Sequence, residues 1–161
     1  MDKQFLAYAL AYLLVVLPAV ATVDNFLNWE FKHGALSSSS FRELLPSEVH
    51  RSIFFSTIVA ALLVASSLML SKAFKVSSFE ALILVLLTLL LQVEDLFYVV
   101  VRMELTPLNV EWEHLATYWA LGKWTTISVY QTSLVGVAII LVVAANMDKL
   151  RKLLKEELDL Y

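Results

Sequence analysis

The sequence predicts an all-α integral membrane protein: a four-helix bundle with an interfacial helix in its third loop and an amphipathic C-terminal tail. Three observations predict it. Sixty per cent of the 161 residues are apolar, where soluble domains sit near half, and the mean hydropathy is +0.75. The excess gathers in four runs of about 20 residues, the length that crosses the hydrocarbon of a bilayer. The runs are apolar on every face, as helices in lipid must be, and the remaining polar sequence is too short to cover them in water.

The spans are expected at 5–29, 52–71, 79–101 and 125–147 of a single membrane domain, 1–161. The first begins after Lys3 and contains Ala19-Val20-Ala21, a pattern also found at signal-peptide cleavage sites. We read it as an uncleaved span, bent at Pro18, which lacks a backbone donor and crowds the preceding turn. Ser77-Ser78-Phe79-Glu80 spells a capping box before the third span, and Ser40-Phe41-Arg42-Glu43 spells another for a short helix in the first loop. Thr106-Pro107 supplies a cap and an N1 proline for an interfacial helix over 107–121, with apolar Leu108, Trp112, Leu115 and Trp119. Gly122 would end it. The charged tail, 148–161, carries Leu150, Leu154 and Leu158 on one stripe. It reads as a helical extension of the fourth span on or near the membrane, or as a docking helix for a partner.

Lysine and arginine set orientation. One side of the membrane would hold Lys3, Lys72, Lys75, Lys149, Arg151, Lys152 and Lys155; the other would hold Lys32, Arg42, Arg51, Arg102 and Lys123. The bias, with a short and purely basic middle loop, places both termini of this multi-pass chain in the cytoplasm. The outer side then collects His33, His50, His114 and all of Trp29, Trp112, Trp119 and Trp124.

Several chemistries are excluded. A net charge of −3 offers no basic surface for nucleic acid. The absence of cysteine removes disulfides, iron–sulfur clusters and covalent c-type haem. No histidine or lysine lies mid-span for a bis-histidine haem or a retinal Schiff base, and no nucleophile elbow or phosphate loop is present. No span is broken by glycine, which argues against a secondary transporter.

What remains is a polar layer near the outer ends of the helices. It comprises Asp24, Asn25 and Asn28 in the first span, Gln92, Glu94 and Asp95 in the third, and Gln131 in the fourth. A charged side chain at depth in hydrocarbon costs a few kcal/mol or more, so such residues face the bundle and seek partners. Asp24, Glu94 and Asp95 are the candidates for acid–base work. Together with His114, on the interfacial helix over the mouth, they make a candidate ligand set for a divalent metal such as Mn, Fe or Zn. The competing reading is interhelical hydrogen bonding, with the acids neutral or paired with Arg51, Arg102 or Lys123. Small residues at four-residue spacing, Ser128, Thr132 and Gly136 in span four and Ser52, Ser56 and Ala60 in span two, mark faces for close helix approach.

Three functions are compatible with this pattern. The first is an accessory or structural subunit of a larger membrane complex, partnered by other membrane subunits or by itself. The second is a membrane enzyme or binding protein with an outward-facing acidic pocket for an apolar or lipid-like substrate. The third is proton or cation conduction.

Overall fold

The computed structural model describes residues 2–33, 48–102 and 125–158. All the elements are helical and no strand occurs among the described residues. Helix α1 is Lys3–Ala11, a π-helical turn follows at Tyr12–Val16, and α2 is Leu17–His33. Then come α3, Glu48–Phe74; α4, Ser78–Leu90; and α5, Val93–Arg102. Helix α6 is Thr126–Ala145 and α7 is Met147–Leu158. Three stretches are long and apolar enough to cross a membrane: Lys3–Leu27, Ile53–Phe74 and Thr126–Ala145.

The first stretch is continuous through Pro18 because of the π turn. Proline has no N–H and its ring clashes with the carbonyl four residues back. The Leu17 N–H instead bonds back five residues to the Tyr12 carbonyl. This extra residue per turn loosens the ladder just where the ring must fit.

The helical hairpin α3–α4 turns on three residues. Lys75 takes a left-handed φ of 55°. The Val76 N–H reaches the Ser71 carbonyl at 2.9 Å and the Lys75 N–H reaches Lys72 at 3.3 Å, the two bonds of a Schellman stop. The expected capping box starts α4 at once: the Ser77 Oγ accepts from the Glu80 N–H, and the Ser77 N–H donates to Glu80 Oε2, both at 3.2 Å.

The expected third span is where sequence and structure part. It is two helices, because α4 stops at Leu90 and α5 restarts at Val93. Gln92 between them has φ 52°, a conformation that costs a non-glycine residue roughly 1–2 kcal/mol. Helix α6 stabilises the break. Its Ser133 hydroxyl donates to the Gln92 carbonyl at 2.5 Å. Its Gly136 lies so close that an added Cβ would meet Val93 Cγ2 at 2.5 Å and the Leu91 Cβ at 2.8 Å. Gly136 thus serves internal packing. Buried Val129, Ser133, Gly136, Ile140 and Ala144 form one stripe of α6.

The core joins Phe5, Tyr8, Tyr12 and Val16 of the first stretch to Leu63 of α3, Ala81 and Leu84 of α4, and Ile140 of α6. In lipid such packing works through van der Waals contact and hydrogen bonding. Two buried tyrosines supply the latter. The Tyr8 hydroxyl pairs with Ser67 Oγ, and the Tyr12 hydroxyl donates to Thr88 Oγ1 at 3.1 Å.

At the end of the molecule holding Asp2, one arginine ties three elements. Arg151 of α7 donates from Nε and Nη2 to the two carboxylate oxygens of Glu80, at 2.5 and 3.0 Å, and from Nη1 to Asp2 at 2.5 Å. Asp2 also caps α1, accepting from the N–H groups of Gln4 and Phe5. The Phe5 N–H, and then the guanidinium, hold the Asp2 carboxyl below the usual carboxylate range, against a partial desolvation that acts the other way. Helix α7 follows α6 after a stop at Asn146 and docks through Met147, Leu150 and Arg151.

Candidate functional site

The site is built from α2 and α5, which make the most extensive interhelical contact of the described residues. On α2, the Thr22 hydroxyl and the Asn25 amide each donate to the carbonyl four residues back, at 2.7 and 3.0 Å. Asp24 is half-buried.

On α5 the break decides the geometry. A helix that restarts inside the bundle exposes a fresh set of unpaired N–H groups and the positive end of a helix dipole. Glu94 and Asp95 occupy that first turn. Consecutive helical residues point about 100° apart. Glu94 is accordingly buried, at 8% exposure, while Asp95 is half-buried. Glu94 Oε1 has no hydrogen-bond partner among the described residues.

The three carboxyls lie within coulombic reach of one another. Asp95 and Asp24 both act on Glu94, and Asp24 acts on Asp95. No basic side chain among the described residues pairs with any of them. Arg51 and Arg102, the expected partners on flanking helices, lie outside the described side chains, and Lys123 lies outside the described residues.

The expected metal set of Asp24, Glu94, Asp95 and His114 is described only in its three acids. Among the described residues no three histidine, cysteine, aspartate or glutamate side chains are grouped to hold a metal ion. His114, the fourth expected ligand, and the interfacial helix 107–121 that carries it lie outside the described residues, as does the capping box at Ser40. Gln131 is also not where the polar layer requires it. It is exposed, on the side of α6 opposite the buried stripe.

Sequence reasoning missed a second set of polar residues. Tyr12 is within coulombic reach of Glu94. Its hydroxyl partner Thr88 donates in turn to the Leu84 carbonyl at 2.9 Å. Further from the acids, Ser67 Oγ, paired with Tyr8, reaches the Ala81 carbonyl at 3.3 Å. Buried hydroxyls therefore lead from the acid site along the helices toward the Arg151 end. The available signal was Tyr8 and Tyr12 at four-residue spacing, which stacks both on one helix face.

Neither a family model, nor a curated protein, nor a solved structure matches the chain.

Proposed function

We propose that this is a small multi-spanning membrane protein that exchanges protons at a carboxyl site between α2 and α5. In this reading α4 and α5 together supply a fourth crossing, both termini are cytoplasmic, and the acids lie toward the outer side. The observation that carries it is the grouping of Asp24, Glu94 and Asp95 from two facing helices, within coulombic reach and without a basic partner among the described residues. Like charges sharing a site cannot all ionise. In hydrocarbon each bare carboxylate costs a few kcal/mol or more. Protons neutralise such a group without any further ligand.

Two further features support the reading. The helix break places Glu94 and Asp95 in the first turn of a restarted helix, where a carboxylate formed transiently is stabilised by the dipole. Discontinuous helices in membranes characteristically surround ion sites. The hydroxyls of Tyr12 and Thr88, then Tyr8 and Ser67, give a proton polar stations on the way to the opposite end.

Proteoliposomes enclosing a pH-sensitive dye test this directly. Under a potassium diffusion potential, wild-type vesicles should acidify or alkalinise faster than protein-free vesicles. Glu94→Gln and Asp24→Asn should remain folded and fall to the background rate, while Asp148→Asn, remote from the site, should not. Vesicles no faster than the protein-free control, or unchanged flux in Glu94→Gln, would refute the proposal and favour acids that only join helices.

A further inference from the structure

A second polar group in the apolar zone is independent of the acid site. Gln131 is exposed on α6, and among the described residues its amide has no hydrogen-bond partner. It lies five residues into a 20-residue span, about 7.5 Å along the axis from the first residue. A primary amide facing hydrocarbon loses its hydrogen bonds to water without replacement.

The surface around it is apolar and ordered along one line. Ile127, Leu134, Val135 and Val142 are exposed at 45, 60, 55 and 62%, and Ala138 is exposed as well. At 100° per residue these positions and Gln131 fall within a stripe about 100° wide, centred near Gln131 itself. The buried stripe of α6 lies on the other side of the helix. Residues 127, 131, 134 and 138 follow a four–three–four spacing, the pattern of a left-handed helix crossing. Ala138 leaves room for close approach.

We propose that this face of α6 is a dimer interface with a second copy of the chain, its Gln131 amides hydrogen-bonded to one another. The chemistry selects the occupant. Copies inserted in the same orientation and related by a two-fold axis along the membrane normal bring each position opposite itself at equal depth. Glutamine carries both a donor and an acceptor, so two Gln131 side chains satisfy each other with paired bonds. An unrelated partner would need a hydrogen-bonding group of its own at that depth, and lipid tails offer none.

The chain contains no cysteine, which makes the test simple. Single-cysteine variants Leu134→Cys and Ala138→Cys, reconstituted in lipid and oxidised, should form disulfide dimers. Met69→Cys should not, although Met69 on α3 is 75% exposed. Gln131→Leu, tested by dilution into excess lipid, should weaken dimerisation about tenfold, as loss of paired interhelical hydrogen bonds predicts. Gln131→Asn should retain most of it. Equal cross-linking at position 69, no cross-linking at 134 and 138, or undiminished association of Gln131→Leu would overturn the proposal. So would a native mass showing one chain with bound lipid, or one chain with a different protein.

Discussion

Replacing Gly136 with alanine probes the contact that holds the α4–α5 break in place. The new methyl would sit 2.5 Å from Val93 Cγ2 and 2.8 Å from the Leu91 Cβ. Leu91 Cβ is one bond from the main chain, so rotating a side chain cannot clear it; the break itself must shift. Overpacking of this kind costs typically 1–3 kcal/mol, and a contact with a Cβ that no rotamer change can move places it toward the upper end. Alanine returns about 1 kcal/mol of helix propensity. The balance is a loss of about 2 kcal/mol, readable as a lower midpoint for loss of helical circular dichroism in mild detergent. Val93→Ala alone should also destabilise, by about 2 kcal/mol, through the cavity it leaves. The double variant should lose less than the two singles combined, because removing Val93 Cγ2 relieves one of the two clashes. A Gly136→Ala protein that melts at or above the wild-type temperature would refute the reasoning, since propensity would then have won and α6 could not lie against the break.

Other expectations follow from the same contacts. Ser133→Ala should cost about 0.5–1.5 kcal/mol by removing a buried hydrogen bond to the Gln92 carbonyl, measured by the same melting. Lys75→Gly should raise the midpoint, by up to about 1 kcal/mol, because glycine takes the left-handed position of the Schellman stop without a Cβ penalty. Arg151→Ala should cost about 1–2 kcal/mol, the partly exposed geometry keeping it small. It should also mobilise a spin label attached at Lys152. Acid should have a related effect. The lowered Asp2 carboxyl contributes fully above the ordinary carboxylate value and loses its contribution as the pH falls through its own lower value. Wild-type α7 should therefore stay docked at neutral pH and loosen only below about pH 4.

Much of the helical architecture is legible in the sequence because long apolar runs leave few alternatives to helix. Backbone groups without water must bond within their own helix; of the four spans the apolar runs predict, three are single helices long and apolar enough to cross a membrane. The capping box at Ser77 and Glu80 is equally local and appears as expected. The break at Leu91–Gln92 is not legible, because nothing local causes it. Neither glycine nor proline marks it, and the preceding leucines favour helix. Its causes are a hydroxyl and a missing side chain forty residues away, Ser133 and Gly136. Gly136 stands out in the sequence only as one of a series of small residues. The same holds for Arg151, which reads as one charge in a charged tail until the fold brings Asp2 and Glu80 to it. Of the candidate site, the acids are conspicuous by their cost in an apolar run. Their division between buried Glu94 and half-buried Asp95 depends on where α5 restarts, and the supporting Tyr12–Thr88 pair joins residues too far apart in the chain for spacing to reveal.

Asp24 and Glu94 are proposed to belong to one proton-holding site. The most direct measurement is infrared difference spectroscopy of the protein in lipid, following the C=O stretch of protonated carboxyls across a pH titration. The account predicts a carboxylic acid band that Glu94→Gln removes. It also predicts that Asp24→Asn moves the titration of the remaining band, because groups that interact strongly titrate as a set. A protonated band unaffected by Glu94→Gln, or a Glu94 band whose titration ignores Asp24→Asn, would contradict it.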